Sequence, residues 1–289
     1  MPTLRSLLAA GQPITAPLVL NPMMAMMADK AGFEALYLGG GATGYAKALL
    51  EANLNVSEMC AAGTEIAAVT RKPLILDGAT GYGDPMHMHR TIPMVETAGF
   101  QAIEIEDQLL PKRAHHHIGI ERMIEPELMA AKVAECIAVR RSEDFIVIAR
   151  SNAVRNTGLD DAVRRLEMYK KAGADVLLAS PRNAEEARFL GERLPAPLMY
   201  LCSPGGLAAI GLTKQEMADM GWKILADPGT GLFAAYETWR DIYAELAANE
   251  FAMPSRPPAE WRELEHEMHK AIDLPKLIAV ERRTVEKGD

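Results

Sequence analysis

Eight short apolar runs alternate with eight helical stretches along this chain, and that alternation predicts a (β/α)8 TIM barrel with an additional C-terminal helical segment. Two further observations agree. The runs are too short for buried helices and end in turn residues, as fully buried parallel strands do. The length of 289 residues suits one barrel domain of roughly 250 residues plus extensions. A doubly wound open sheet is the competing architecture; the count of eight favours the barrel.

In chain order, residues 4–10 read as a short amphipathic helix, 16–20 as a first strand, and 23–31 as a helix closed by Gly32. A strand at 34–38 enters a loop at 39–44. Ser57 then caps a helix running towards Arg71. Strands follow at 74–76, 102–106, 145–149, 176–179, 198–202 and 222–226. Helices fall at about 86–98, 126–141, 159–172, 184–193, 213–220 and 230–248. A polar, histidine-rich excursion at 111–120 interrupts the pattern after the fourth strand. Beyond Pro254 to Pro258, residues 259–285 read as helix, so 1–289 is one barrel domain with 254–289 as its helical extension.

The formal charge of −8 argues against nucleic acid or an anionic membrane as partner. Cys60, Cys136 and Cys202 are scattered and fit neither a disulfide framework nor a zinc site. The N-terminal apolar run is too short for a signal peptide, and no stretch approaches the roughly 18 apolar residues of a membrane span. A cytoplasmic location is expected. The seventeen methionines read as core filling.

Chemistry in a barrel collects at strand C-termini. Asp77 closes the third strand and Glu106 the fourth, and two hard oxygen ligands on adjacent strand ends suit Mg²⁺ or Mn²⁺. The alternative is that each carboxylate caps the helix that follows. Gly39-Gly40-Gly41-Ala42-Thr43-Gly44 matches G-x-G-x-x-G, but no acidic residue closes a following strand at the right distance. A backbone cradle for a carboxylate or phosphate fits that stretch better than a dinucleotide site. Lys112, Arg113 and the histidines 115–117 read either as a solvated tract or as a lid that brings cations onto an anionic substrate. Arg150 ends a buried strand, where a lone cation is costly, so it pairs with a carboxylate of the protein or of the substrate. His87, His89, His266 and His269 read as structural or surface residues.

Five motifs together resemble the isocitrate lyase / phosphoenolpyruvate mutase superfamily over about residues 4–251: Tyr37-Leu-Gly-Gly-Gly41, Asp77-Gly-Ala-Thr-Gly-Tyr-Gly83, Ile105-Glu106-Asp107-Gln108, Pro111-Lys-Arg113 and Ile148-Ala-Arg150. The resemblance implies a barrel whose last helix is exchanged between subunits of a homodimer or homotetramer, with Mg²⁺ (or Mn²⁺) and a small α-keto or α-hydroxy acid at the strand ends. It makes Asp77 the direct metal ligand and Glu106 a water-linked one. Gly40 and Gly41 would hold the substrate carboxylate, with Tyr37, Gly39, Arg113 and Asn152 also substrate-binding. Arg150, Lys112, His115 and His116 would be catalytic.

The chain also departs from the family pattern. Ala79 stands where a second carboxylate is usual, Ala114 and His115 where the lid cysteine and glycine are, and Ser151-Asn152 where Thr-Asp is common. Ser180 and Asn53 replace two further acidic residues. Fewer carboxylates weaken divalent-cation binding, and the loss of the cysteine removes the usual acid, for which His115 or His116 is a substitute. The resemblance therefore implies a carbon–carbon lyase on a small 2-hydroxy or 2-oxo dicarboxylate, working through a metal-stabilised enolate. Oxaloacetate-type decarboxylation falls within that class. A phosphonopyruvate mutase or hydrolase, and a non-catalytic member, are the alternatives.

Overall fold

The computed structural model describes residues 2–120 and 122–286, which fall in two compact units, Met1–Leu232 and Phe233–Asp289. In the first, eight parallel strands run β1 (Ile14–Pro17), β2 (Leu36–Leu38), β3 (Leu74–Asp77), β4 (Ala102–Glu106), β5 (Ile146–Arg150), β6 (Val176–Leu178), β7 (Leu198–Leu201) and β8 (Trp222–Asp227). Each pairs with its sequence neighbour from β2 round to β8, and β8 pairs with β1. The last seam is a single parallel bridge, Leu18 to Tyr37, with the Val19 N–H donating to the Tyr37 carbonyl at 2.9 Å. The sheet is thus a nearly closed (β/α)8 barrel, as the alternation predicts.

Side chains on a strand alternate between faces, and here the alternation sorts two cores. Ile14, Ala16, Tyr37, Ile75, Ala102, Ile146, Ile148, Val176, Leu178, Met199, Ile224 and Ala226 fill the barrel interior. The residues between them, such as Leu36, Leu76, Ile103, Val147 and Leu177, pack under the surrounding helices. Leu4, from the helix Leu4–Ala9, joins the interior cluster, and its N–H donates to Gln101 Oε1 at 2.8 Å.

The structure corrects several boundaries. The first strand is Ile14–Pro17, because Leu20 already leads into the helix Pro22–Lys30, which Asn21 caps. The next long helix starts one turn's edge earlier than Ser57: Asn55 accepts from the Glu58 N–H while Glu58 accepts from the Asn55 N–H, a reciprocal cap. The glycine stretch is not a loop; Gly40–Ala46 is helical. The tail is two helices, Pro258–Ala271 and Leu274–Thr284. Pro275 can neither donate to nor clear the carbonyl of Ala271, and Asp273 turns the chain at φ +57°.

The second unit contains these two helices and most of the helix Thr230–Ala248. Tyr236, Trp239 and Tyr243 are exposed on the latter, and Arg256 stacks over the Trp261 ring at 4.9 Å. Among the described residues no helix is long and apolar enough to cross a membrane.

Candidate active site

Strand register brings the carboxylates together. Asp77 lies beside Glu104 across β3 and β4, and Glu106 beside Arg150 across β4 and β5. Glu104 and Glu106 are two residues apart and so share the inward face. Asp77 is 8% exposed and is fixed by backbone donors: Gly40 N–H to Oδ2 at 2.9 Å and Ala79 N–H to Oδ1 at 3.0 Å. The Ala79 carbonyl in turn accepts from the Glu106 N–H at 2.8 Å, so one residue ties both strand ends. The 78–83 turn is held from outside by Thr91, whose hydroxyl donates to the Gly81 carbonyl, and by buried Lys132, whose ammonium donates to the Thr80 carbonyl.

Arg150 is paired within the protein. One terminal nitrogen donates to Glu104 Oε1 at 2.8 Å, and Nε donates to Asn152 Oδ1 at 3.1 Å and lies 3.5 Å from Glu106 Oε2. Glu104 Oε2 accepts the Tyr37 hydroxyl at 2.9 Å. Burial, then the charge of Asp77, pushes the Glu104 carboxyl up to about 7 against the pull of Arg150. Burial raises Tyr37 well above the usual phenol range, so it stays a donor.

The excursion after β4 enters this mouth through one side chain. Its base is pinned by an antiparallel bridge, Gln108 to Met123, and Ala114–Ile118 forms a 3₁₀ turn. Lys112 Nζ reaches Glu106 Oε1 at 2.6 Å and Glu51 Oε2 at 2.8 Å, with only 6% of its side chain exposed. Burial alone would favour its neutral form, but Glu106 and Glu51 together hold the ammonium charged. Burial likewise opposes ionisation of Glu106, yet Lys112 and Arg150 hold it well below the usual carboxylate range. Its Oε2 also accepts from Gln108 Nε2 at 3.1 Å and Asn152 Nδ2 at 2.9 Å.

Glu51 explains the glycines. It opens the 3₁₀ turn Glu51–Asn53 and lies against the helix Gly40–Ala46. A Cβ on Gly40 would stand 2.6 Å from Glu51 Oε1, and one on Gly44 would stand 2.8 Å from the Glu51 nitrogen. The run of small residues is thus a docking strip for this segment. Burial, then Asp77, pushes the Glu51 carboxyl up to about 7.

Of the residues expected at the site, Tyr37, Gly40, Asp77, Glu106, Lys112, Arg150 and Asn152 converge through these bonds. The Gly40 amide is taken by Asp77, and Gly39 caps the helix that Gly40 and Gly41 begin. His116 Nδ1 lies 2.9 Å from Gln108 Nε2, and its Nε2 4.0 Å from Glu51 Oε2. Arg113 and His115, both on the excursion, are exposed. His87 and His89 are structural: His87 accepts from the Asp84 N–H, and His89 pairs with Glu135 at 2.7 Å. Sequence reasoning missed Glu51 and Glu104. Strand parity with Glu106 was the signal for Glu104; nothing local marked Glu51. Asp107, next to Glu106, faces the other way and is held by Ser151, Tyr169 and the Asn152 N–H.

Among the described residues no three His, Cys, Asp or Glu side chains form a closed metal cage. The donor set nevertheless suits a hard divalent cation that keeps its own waters. Asp77 and Glu106, on adjacent strand ends, offer it carboxylate oxygens, and Lys112 and Arg150 keep Glu106 ionised. A separate groove of about 480 Å³, lined by residues including Cys60, Thr64, His89 and Arg90, shares no residue with the mouth.

Fold and site define a (β/α)8 barrel whose chemistry is concentrated in clamped carboxylates at the ends of β3 and β4. The chain belongs to the phosphoenolpyruvate phosphomutase family, whose profile matches residues 4–247. It is 34% identical to 2-methylisocitrate lyase of Aeropyrum pernix over 245 residues, 84% of this chain and 78% of that one. It is 30% identical to 2,3-dimethylmalate lyase of Eubacterium barkeri over 250 residues, 84% of each chain. It is also 30% identical to oxaloacetate decarboxylase of Paraburkholderia xenovorans over 216 residues, 71% of each. A crystal structure of phosphonopyruvate hydrolase complexed with oxalate and Mg²⁺ superposes with a TM-score of 0.83 at 28% identity, covering 98% of both chains. The superfamily resemblance drawn from the motifs is borne out.

Proposed function

We propose that this chain is a carbon–carbon bond lyase for a small 2-hydroxy or 2-oxo dicarboxylate, with oxaloacetate-type decarboxylation as the form we favour. The observation that carries the reading is the register-built constellation of Asp77, Glu106 and Arg150 at adjacent strand ends, joined by Lys112 from the excursion. The relatives named 2,3-dimethylmalate lyase and oxaloacetate decarboxylase support it. Asp77 directly, and Glu106 through water, would hold Mg²⁺ or Mn²⁺. A divalent cation there supplies positive charge for the enolate oxygen of an α-keto acid.

The remaining work falls to the chain itself. Arg150 keeps 13% of its side chain exposed at the mouth, and its guanidinium, oriented by its bonds within the protein, would meet one substrate carboxylate. Glu104 and Asn152 fix the guanidinium plane. Tyr37 holds Glu104, and Lys112 closes the mouth over Glu106. Calorimetric titration of the metal-stripped protein with Mg²⁺ or Mn²⁺ and oxalate, followed by turnover of oxaloacetate and 2,3-dimethylmalate, tests the reading. Metal-dependent oxalate binding that Asp77→Ala abolishes supports it; turnover unaffected by Asp77→Ala refutes the metal assignment.

Phosphonopyruvate hydrolysis is the second reading, favoured by the likeness to that hydrolase. Against it, the run Lys112-Arg113-Ala114-His115 stays closer to the lid pattern of the lyases. Phosphate release from phosphonopyruvate separates the two. The exposed Tyr236, Trp239 and Tyr243 support assembly as a homodimer or homotetramer, which sedimentation velocity would detect.

A further inference from the structure

We propose that Glu51 is the proton donor of the reaction, delivering a proton from Oε1 to the carbon left with the electron pair when the carbon–carbon bond breaks. The inference rests on the lyase reading above, in its 2-oxo acid form.

Geometry singles this residue out. The Glu51 side chain is 5% exposed, and Lys112 Nζ fixes its Oε2 at 2.8 Å. Its other oxygen, Oε1, is buried without a hydrogen-bond partner among the described residues. A buried carboxyl oxygen left unpaired is costly unless a ligand or a proton completes it. Oε1 lies against Gly40, whose N–H is bonded to Asp77, and Lys112 links Glu51 to Glu106. The unpaired oxygen therefore borders the same mouth as the two carboxylates assigned to the metal.

No other residue of the mouth is as well placed. Ala114 stands where the resemblance calls for an acidic cysteine, and His115 is exposed. Cys60 and Cys136 belong to the core between strands and helices, with Cys202 packed against it. His116 is engaged with Gln108.

The step balances for oxaloacetate. The bond between C3 and its carboxyl carbon breaks, its electron pair passes into the C3–C2–O enolate, and carbon dioxide leaves. C3 then takes the proton from Glu51, which becomes a carboxylate facing Lys112 and regains a proton from water. In reverse, the same carboxylate removes a methyl proton from pyruvate.

The test is exchange of the pyruvate methyl protons in D₂O with Mg²⁺, followed by proton NMR for the wild type, Glu51→Gln and Glu51→Asp, with oxalate affinity measured alongside. Glutamine keeps an oxygen for Lys112 but has no transferable proton. The expected result is exchange by the wild type, a loss of about 100-fold or more in Glu51→Gln with oxalate affinity within about threefold, and at least a tenfold loss in Glu51→Asp, whose carboxyl is withdrawn by one methylene. Should the glutamine variant bind no oxalate, the aspartate variant decides. Exchange at the wild-type rate in an oxalate-binding variant overturns the proposal, as does a wild type that binds oxalate yet leaves pyruvate unexchanged. A wild type that binds no oxalate with either metal overturns the lyase reading itself, and this inference with it.

Discussion

Lys112 places its ammonium between two buried carboxylates, 2.8 Å from Glu51 and 2.6 Å from Glu106, and so ties the excursion after β4 to a segment sixty-one residues earlier. A cation in that position lets the Glu106 anion remain inside the barrel mouth and gives the Glu51 carboxyl a hydrogen-bond donor. Lys112→Met is expected to lower the unfolding free energy by about 3 kcal/mol, since it leaves the buried Glu106 carboxylate without the cation 2.6 Å away. Urea unfolding at neutral pH measures it; an unchanged midpoint would show that the pairing adds nothing in solution.

Gly40 and Gly41 are adjacent but should respond in opposite ways. A methyl group on Gly40 meets Glu51 Oε1 at 2.6 Å, whereas on Gly41 the nearest atom is 3.9 Å away. Gly40→Ala is therefore expected to cost about 1–3 kcal/mol and to reduce turnover by displacing Glu51. Gly41→Ala, inside the same helix, should be neutral or stabilising by up to about 1 kcal/mol. Thermal unfolding of the pair checks the contrast.

Ala79 occupies the left-handed region at φ +47°, where aspartate is better tolerated than alanine. Ala79→Asp adds a buried carboxylate beside Asp77. We expect it to destabilise the metal-free protein and to tighten Mg²⁺ binding about tenfold, because affinity follows the charge of the ligand set. Calorimetric titration, with melting curves in chelator and in Mg²⁺, reads both effects; unaltered Mg²⁺ affinity would argue against a cation at Asp77.

Asp161, near the start of the helix Leu159–Lys171, accepts from Thr157, Arg164 and Arg165. Burial opposes its ionisation, but these donors win and hold the carboxyl down to about 2. Its folded-state value lies below the unfolded one, near 3.8, so its stabilising contribution is present above about pH 4 and is lost as pH falls towards 2. Discounted for solvent screening, Asp161→Asn should cost about 1 kcal/mol at pH 7 and little at pH 2. Urea midpoints at the two pH values check the sign, which a pH-independent difference would contradict.

Much of the site was legible along the chain because strand ends announce themselves. Asp77, Glu106 and Arg150 each close a short apolar run, and parallel pairing carries such ends to one rim of the barrel. Glu104 was legible in principle, since it shares parity with Glu106, but a carboxylate two residues inside a buried strand reads as an anomaly until Arg150 and Tyr37 are seen around it. The glycine stretch misled for a related reason. Its residues suit a phosphate loop and a tight docking strip equally, and only the packed Glu51 segment distinguishes them.

What the sequence by itself determined is the set of elements: eight strand–helix units, because apolar periodicity, caps and glycines act over a few residues at a time. Register then followed from those elements, placing Asp77 beside Glu104 and Glu106 beside Arg150. The tertiary structure alone decided which charges neutralise which. The Lys112–Glu51 and Tyr37–Glu104 contacts join residues 61 and 67 positions apart. Their existence depends on the shared low-dielectric interior, where an ion or hydroxyl must find a partner, and no local pattern in the chain encodes that requirement.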